Sequence, residues 1–454
     1  MKNIEKIHNT LCNILDSKDV CIDVETKTEY SKDWSIQVPG EPRAVLFPRE
    51  LKQVINIVEY FNSINMPFVP SGGRTGLSGG ATALNNEVVI SFDKMNSILD
   101  FDETTQTVLC EPGLITKNLQ IFADENNLFF PVDFSSTGSS QIGGNIATNA
   151  GGIRVVKYGL TGQYIRGVCF VSGGGNYYSF NTNLIKNATG PDFKNLLIGS
   201  EGIFGLLTSC SVQLIDKKPE SKVALVGFNE LLNLENIQKI LTKNKNIEAI
   251  EFFTYPSLKK VNDVFSIKSP FNNKYDYYLI IEYSDAKLEL IFEKLIIDSI
   301  IEDIVVSQNI KQKDEIWRLR LLISESIVNH KPLKYDIAVP IKKYAKLVHD
   351  INSFSKNMNN IEPILFGHIG DGNLHANFLD TSKKPSKDML DILDKNIVTI
   401  INDLKGTISA EHGIGSLKKK LFYEFAPKEK INLLKTVKTH LDPKNLSNPG
   451  KLIF

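Results

Sequence analysis

The sequence is poor in cysteine, and its few cysteines are scattered. Cys12, Cys21, Cys110, Cys169 and Cys210 form no Cys-x-x-Cys pair. Disulfide frameworks, zinc knuckles and iron–sulfur clusters all need closely or regularly spaced cysteines. None of these three kinds of site is therefore indicated.

The sequence also lacks net charge and long apolar runs. Lys and Arg together number 52, as do Asp and Glu, so no overall field attracts nucleic acid and no nucleic-acid partner is expected. No run reaches the roughly 18 apolar residues of a transmembrane segment. The first 19 residues have neither the long apolar region of a secretion signal nor the acid-poor composition of a mitochondrial transit peptide. We therefore expect a cytoplasmic protein.

A chain of 454 residues is too long for one ordinary core, so two or three domains are expected. Apolar residues at Leu51, Val54, Ile55, Val58 and Phe61 predict a helix. After it comes the glycine-rich stretch 66–83, and then EVVISF, which predicts a strand.

The first glycine-rich run spans residues 72–80 and reads GGRTGLSGG. Its spacing differs from the Gly-x-Gly-x-x-Gly of dinucleotide-binding folds, and it lacks the Gly-Lys-Ser/Thr of a Walker loop. Backbone amides of such small residues can approach an anion closely. A purely structural turn is the alternative, and this run alone does not decide between them.

Two further stretches of small residues are present, and the first of them follows the apolar FFPVDF. Residues 138–152 read GSSQIGGNIATNAGG, and residues 199–205 read GSEGIFG before the strand-like LLTSCSVQLI. We interpret 138–152 as a second loop and 199–205 as a third. Solvent-exposed linkers are more often rich in Ser, Pro or Lys. Three such loops between strands favour a wide, flat cofactor lying along the backbone.

The stretch 366–378, FGHIGDGNLHANF, holds two of the seven histidines. Its central Gly-Asp-Gly-Asn predicts a turn between two strands, with Asp371 as a turn residue. If Ile369 pairs with Leu374, then His368 lies directly opposite His375, close enough to share a metal ion. Glu411 or His412 offers a third ligand. Two histidines that merely decorate a hairpin are the alternative.

A candidate carboxylate-binding site follows in DEIWRLRLLISESIV, which predicts one helix. Arg320 and Ser324 are four residues apart on it and would share a face, and Lys334 comes just before the next predicted strand. An arginine fork can bind a carboxylate through two hydrogen bonds. Because Arg318 is close by, a solvated helix face is the alternative.

Several motifs together resemble one family. YSKDW, PSGGRTGLSGG, IGGNIATNAGGIRVVKYG, GSEGIFG and NPGKLIF occur in order along the chain. They look like those of the FAD-dependent D-2-hydroxy-acid dehydrogenases, within the vanillyl-alcohol-oxidase-type flavoprotein superfamily. The resemblance implies an α+β fold with a PCMH-type FAD-binding domain and a ferredoxin-like substrate (cap) domain. We expect the FAD domain at 1–218 (core about 38–217), the cap with the metal site at 219–425, and a returning segment at 426–454.

The resemblance also implies a set of FAD contacts. Arg74 stands where the family often has Asn, and Phe134 where it often has Pro. No histidine lies between His8 and His330, so a histidyl–flavin bond from the loop region is excluded and non-covalent FAD is predicted. The expected cofactor-binding residues are Ser71, Gly72, Gly73, Arg74, Thr75, Gly76, Leu77, Ser78, Gly138, Gly144, Asn145, Thr148, Gly151, Glu201, Gly202, Ile203 and Asn448.

By the same resemblance, His368, His375 and Glu411 correspond to the ligands of a divalent metal, with zinc favoured. Arg320, Ser324 and Lys334 correspond to residues that bind substrate carboxylates in the D-2-hydroxyglutarate dehydrogenase branch, which usually has Thr at the position of Ser324. Asn377 would hydrogen-bond the substrate. His412 is the expected catalytic base for the substrate hydroxyl.

The resulting prediction is oxidation of a D-2-hydroxy acid to the 2-oxo acid, with hydride transfer to FAD. D-2-hydroxyglutarate or a similar dicarboxylate such as D-malate is favoured, and a D-lactate or glycolate dehydrogenase is the first alternative. A metallohydrolase with a nucleotide-binding domain and a non-enzymatic binding module are alternatives from other classes. Electrons would leave to a separate electron-transfer flavoprotein or quinone, and a quinone would place the protein at the inner membrane surface. A homodimer is one assembly that the sequence allows.

Overall fold

The computed structural model describes residues 4–35, 40–180, 184–241, 243–358, 360–381 and 387–453. Position 38, where the core of the FAD domain was predicted to begin, lies outside these residues. The strands are β1 Val20–Cys21, β2 Val45–Leu46, β3 Phe68–Ser71, β4 Val88–Ser91, β5 Ile98–Asp102, β6 Thr107–Cys110, β7 Leu128–Phe129, β8 Ile165–Ser172, β9 Tyr177–Ser179, β10 Gly205–Gln213, β11 Ile215–Asp216, β12 Lys222–Phe228, β13 Ile247–Thr254, β14 Tyr277–Tyr283, β15 Asp303–Val306, β16 Leu333–Ala338, β17 Ile361–His368 and β18 Asn373–Asp380.

Helices accompany these strands, so the protein has the mixed content of the predicted α+β class. They are α1 Ile4–Ile14, α2 Val24–Glu29, α3 Leu51–Ile64, α4 Thr116–Glu125, α5 Ile142–Thr148, α6 Val155–Tyr158, α7 Asn233–Leu241, α8 Tyr255–Phe265, α9 Leu288–Ile297, α10 Ile310–Leu321, α11 Ile323–Ser326, α12 Tyr344–Lys356, α13 Lys387–Leu404, α14 Lys419–Phe425 and α15 Lys428–Leu441. Among the described helices, none combines the length and the apolarity that crossing a bilayer requires.

The described residues divide into two units. The first unit draws on 1–150, 160–218 and 411–454, and the second on 151–159 and 219–410. These ranges differ from the predicted domains in two places. The short segment 151–159 belongs to the second unit, and the first unit takes up the chain again at Glu411 rather than at residue 426. Glu411 and His412 therefore belong to the first unit, although the metal site was predicted within the cap.

The first unit contains a sheet of order β1-β2-β4-β3, with parallel pairing of β4 to β2 and β3, and an antiparallel sheet of order β5-β6-β10-β8-β9. Helix α3 forms where its apolar stripe was predicted, and it buries Val54, Ile57, Val58 and Phe61. It ends at Asn65, whose left-handed conformation (φ 54°) is one that asparagine adopts at helix ends. This helix packs in the larger described core of the unit.

The second unit is built on one seven-stranded sheet, of order β15-β12-β14-β13-β17-β18-β16, in which all neighbouring strands are antiparallel. One face packs against α8, α10 and α11 through apolar residues such as Phe253, Trp317 and Phe366. On the opposite face Phe378 contacts the rings of Tyr335 and Phe354, and the Tyr335 hydroxyl donates to Asp394 on α13. The sheet is thus covered on both faces.

Candidate active site

The hairpin β17–β18 carries the two histidines of the sequence motif. A four-residue loop, 369–372, joins the strands, and the amides of Asp371 and Gly372 donate to the carbonyl oxygen of His368. The Asp371 carboxylate accepts from the amide of Asn373 at 3.0 Å, so Asp371 has the turn role that the sequence predicts. Gly372 has φ 87°, a conformation that favours glycine.

The register of this hairpin differs from the predicted one. Phe366, not His368, pairs directly with His375. The strands approach closely beside Gly367, where a Cβ atom would lie 2.3 Å from the carbonyl oxygen of Asn373. The Asn373 side chain donates to Asp336 on β16, which holds it in the sheet. His368 is therefore diagonal to His375, on the same face, with ring centroids 5.4 Å apart.

Four neighbouring strands, β13, β17, β18 and β16, place a set of polar side chains on one face. Glu251 pairs with His368, Asp336 pairs with His375, and Lys334 pairs with Asn377. Because alternate residues of a strand point to the same side, these positions share a face with Phe366. We call this the polar face, defined by Glu251, Lys334, Asp336, His368, His375 and Asn377.

Arg320 on α10 lies over the polar face. Its side chain is buried, whereas Arg318 two residues earlier is exposed, so the solvated helix face that was the alternative does not apply to Arg320. The guanidinium carbon lies 4.5 Å from the centroid of the Phe366 ring, a cation–π geometry. Its Nε lies 2.8 Å from Oε2 of Glu251.

Glu251 is a site residue that the sequence reasoning missed. It is fully buried, and its Oε1 lies 2.5 Å from Nδ1 of His368. The sequence held a signal, because two glutamates, Glu248 and Glu251, interrupt the apolar run IEAIEFFT, and the strand proves to be buried at every position. A buried carboxylate must be paired to be tolerated, so its partners were the residues to look for.

The remaining substrate candidates differ in their surroundings. Asn377 is buried, and among the described residues its Nδ2 has no hydrogen-bond partner. Lys334 lies within β16 rather than before a strand; it is exposed overall, yet desolvation of its ammonium group lowers the pKa. Ser324 is exposed on α11, which Leu322 separates from α10, so Arg320 and Ser324 do not lie on one continuous helix as predicted.

The polar face offers donors that suit a divalent metal. His375 Nδ1 lies 3.8 Å from Oδ1 of Asp336, and this carboxylate accepts from Asn373 Nδ2 at 2.8 Å. If Nδ1 of His368 donates its hydrogen bond to Glu251, Nε2 of that ring keeps its lone pair. Imidazole nitrogens and carboxylate oxygens are the donors of catalytic zinc sites, so the residues present fit such an ion.

The first two small-residue stretches of the first unit meet. A Cβ atom at Gly73 would lie 2.0 Å from the carbonyl oxygen of Ser139, so only glycine allows this approach. The interpretation of 138–152 as a loop was wrong in its central part, because residues 142–148 form helix α5. The helix brings Gly144 beside Gly72, where a Cβ atom at Gly144 would meet no heavy atom within 4 Å.

Arg74 shows why its position often holds Asn in the resembled family. Its φ of 56° is left-handed, and Asn adopts that conformation more readily than most residues. The guanidinium lies 3.8 Å from the centroid of the Tyr30 ring and 3.8 Å from a carboxylate oxygen of Asp93. The Tyr30 hydroxyl donates to Asp93, and burial raises the pKa of Tyr30 to about 12. These contacts hold the first glycine run against the YSKDW segment.

Glu201 holds the last segment of the first unit in place. Its carboxylate accepts from the amides of Ile414 and Gly415 at 2.7 and 2.6 Å, while burial raises its pKa. Its carbonyl oxygen accepts from Asn448 Nδ2 at 2.7 Å. Asn448 is buried, and its Oδ1 has no hydrogen-bond partner among the described residues. The unpaired amide oxygen and the small-residue cradle fit a large polar cofactor.

The other predicted cofactor residues are distributed around these contacts. Gly138 and Thr148 are exposed, Asn145 is buried and donates to Thr116, and Gly151 falls in the segment that belongs to the second unit. Gly202 has φ 72° and packs against Pro70. The roles of all these residues toward FAD stay predictions.

Two protein-family models match this chain and define its general class. A family model for the C-terminal domain of FAD-linked oxidases matches residues 217–452, and a model for an FAD-binding domain matches residues 42–181. The chain is therefore an FAD-linked oxidoreductase.

Proteins with similar sequences define the family within this class of oxidoreductases. The chain is 37% identical to a D-2-hydroxyglutarate dehydrogenase of Stutzerimonas stutzeri, over 97% of both chains. It is 32% identical to the mitochondrial D-2-hydroxyglutarate dehydrogenase of Arabidopsis thaliana, over 97% of this chain and 80% of that one. The chain belongs to the FAD-dependent D-2-hydroxy-acid dehydrogenase family, as the sequence resemblance predicts.

A solved structure confirms the predicted fold. The 4-ethylphenol oxidase from Gulosibacter chungangensis superposes with a TM-score of 0.78 at 16% identity, covering 99% of this chain and 97% of that chain. At this identity the likeness concerns the fold alone, which is the α+β, vanillyl-alcohol-oxidase type. The cytoplasmic localisation, the electron acceptor and the homodimer stay predictions.

Proposed function

We propose that this enzyme oxidises D-2-hydroxyglutarate, or a similar dicarboxylate such as D-malate, to the 2-oxo acid with non-covalent FAD. The observation that carries the proposal is that the buried Arg320 lies over the polar face, which also holds His368, His375, Asn377 and Lys334. A cationic fork beside imidazole, amide and ammonium groups suits an anionic, oxygen-rich substrate.

Two cations are available for two carboxylates. The Nε side of Arg320 faces Glu251 in an ion pair, so its Nη groups are the ones that would bind one substrate carboxylate in a bidentate manner. Lys334 would bind the distal carboxylate of a dicarboxylate. The Nδ2 of Asn377 would donate a hydrogen bond to the substrate.

His412 is proposed to accept the proton of the 2-hydroxyl group as the C2–H bond breaks. The two electrons of that bond leave as hydride, and C2 becomes a carbonyl carbon. FAD would supply the hydride acceptor, and a divalent ion held by His368, His375 and Glu411 would supply Lewis acidity. A separate electron-transfer flavoprotein or a quinone is the proposed final electron acceptor.

Anaerobic titration of the FAD-loaded enzyme, followed by bleaching of the flavin absorbance, tests this proposal. The panel contains D-2-hydroxyglutarate, D-malate, D-lactate and glycolate, with the L enantiomers of the chiral acids. The D-dicarboxylates are expected to reduce the flavin most effectively. Reduction by D-lactate or glycolate alone would support the first alternative. The hydrolase alternative gains no support from the family membership.

A substitution at Lys334 tests whether this side chain binds the distal carboxylate of the substrate. Lys334→Ala should lower the efficiency with which D-2-hydroxyglutarate reduces the flavin roughly tenfold or more, relative to the change for D-lactate. The reason is that a charge-assisted contact is worth about 1.5–3 kcal/mol. The control is Lys331→Ala, an exposed lysine three residues earlier. Equal effects of Lys334→Ala on both substrates would mean that Lys334 does not bind a distal carboxylate.

A further inference from the structure

One buried carboxylate contacts both the expected metal ligand and the expected substrate clamp. Oε1 of Glu251 lies 2.5 Å from Nδ1 of His368, and Oε2 lies 2.8 Å from Nε of Arg320. The side chain of Glu251 is fully buried, and those of His368 and Arg320 are 7% and 6% exposed. The three groups therefore interact with little competition from water.

The contact with His368 determines which ring nitrogen carries the proton. A carboxylate paired with arginine is an acceptor, so Nδ1 of His368 donates to it and Nε2 keeps the lone pair. In many metalloproteins such a carboxylate orients the histidine and makes the ring a better ligand. Glu251 thus selects Nε2 as the nitrogen of His368 that can bind an ion.

The contact with Arg320 orients the guanidinium. Phe366 packs against the flat face of this group, and the Glu251 carboxylate forms an ion pair with it on the Nε side. The fork of Nη groups then has a fixed direction before a substrate arrives. Such preorganisation lowers the cost of binding, because fewer side-chain conformations are lost.

We propose that Glu251 is a positioning residue that orients His368 for metal binding and Arg320 for substrate binding at the same time. This inference rests on the proposed function. An ion pair that merely stabilises the second unit is the rival explanation. The two differ in their consequences, since a merely structural pair would leave the affinity for metal unchanged in a folded variant.

The test uses the full-length, FAD-loaded protein stripped of metal with a chelator. Zinc affinity is measured by competition with a chromophoric chelator for the wild type and for Glu251→Gln, with His375→Ala as a reference for loss of a ligand. Glu251→Gln should lower zinc affinity roughly 10- to 100-fold, the usual effect of losing a partner of a metal ligand. It should also raise KM for the 2-hydroxy acid, because Arg320 loses its partner.

The matched control is Glu282→Gln. Glu282 lies on β14, is equally buried, and forms ion pairs with Arg154 and Lys313. Its loss should destabilise the protein but leave zinc affinity within about twofold of the wild type, because its ion-pair partners Arg154 and Lys313 are not among the proposed metal ligands. Thermal unfolding of both variants separates loss of stability from loss of metal.

Each outcome decides the proposal. Zinc affinity of Glu251→Gln equal to the wild type, or an equal loss in Glu282→Gln, would overturn it and leave the proposed function standing. A wild type that binds no zinc would overturn both this inference and the proposed metal. If Glu251→Gln does not fold, Glu251→Asp replaces it. That variant keeps the charge but is one carbon too short to reach both partners, so it should also lose zinc affinity, and unchanged affinity would overturn the proposal.

Discussion

Lys451 and Lys438 are two fully buried lysines in the last segment of the first unit. Lys438 has a carboxylate partner, since its Nζ lies 2.5 Å from Oδ2 of Asp442 and also donates to the carbonyl oxygens of Ile203 and Ser447. Lys451 donates to a carbonyl oxygen, that of Pro449, at 3.3 Å. Burial therefore lowers the pKa of Lys451 to about 8.

This lowered pKa predicts a pH dependence of stability. Between pH 8 and the ordinary lysine pKa, the unfolded chain binds more protons at Lys451 than the folded protein does, so the free energy of unfolding rises with pH. From pH 7.5 to 9.5 the contribution is about 2 kcal/mol. The free energy of unfolding is measured with urea for the wild type and for Lys451→Met at each pH. The difference between the two proteins should rise with pH by this amount. A difference that stays constant with pH would contradict the prediction.

At the scale of elements, glycines determine how closely the first two small-residue stretches approach. Gly73 lies against Ser139, and its neighbour Gly72 lies against Gln141 and the start of α5. Gly144 lies inside α5 with open space around its Cβ position. Glycine at position 73 therefore allows two backbone segments to pack closely, whereas glycine at position 144 leaves open space beside the helix.

Paired substitutions separate these roles. Gly73→Ala should destabilise the FAD-free protein, because its Cβ would lie 2.0 Å from a carbonyl oxygen. Gly144→Ala should leave the FAD-free protein equally stable or up to about 1 kcal/mol more stable, since alanine favours a helix. If the cofactor lies against α5, however, Gly144→Ala should weaken FAD binding. Thermal unfolding without FAD measures the stability, and fluorescence titration with FAD measures the affinity for the cofactor. Unchanged FAD affinity in Gly144→Ala would contradict the prediction that the cofactor lies against α5.

The hairpin β17–β18 shows what local patterns predict at this scale. Turn residues and alternating apolar positions were enough to predict two strands and a four-residue loop. The register was not predictable, because it depends on Gly367 lying against Asn373 and on the bond from Asn373 to Asp336, a residue 37 positions away. Such long-range contacts leave no signature in the local sequence.

At the scale of the whole molecule, the first unit is assembled from three separate stretches of chain. The last stretch supplies the amides that bind the Glu201 carboxylate, and Ser447, whose hydroxyl donates to the carbonyl oxygen of Gly202. Without this stretch, the carboxylate of Glu201 would be buried without its amide donors, which is costly.

A chain truncated after residue 218 should therefore fail to retain FAD, although the FAD domain was predicted to span 1–218. The control is a chain in which residues 219–410 are replaced by a flexible Gly/Ser linker, which keeps all three stretches and should retain FAD. Gel filtration with flavin absorbance measures retention. Stoichiometric FAD on the truncated chain would contradict the prediction.

The sequence by itself determined the family, the α+β fold and the residue types of the candidate site, because glycine runs, turn residues and apolar periodicity act locally and occur in a specific order. Only the tertiary structure decided which of these residues meet. In the folded protein Arg320 is buried, Ser324 is exposed, and His368 lies diagonal to His375. Glu251 lies between Arg320 and His368, which are 69 and 117 positions away from it in the sequence. Burial and pairing of charged groups depend on the whole fold, since the cost of an unpaired charge arises only once water is excluded.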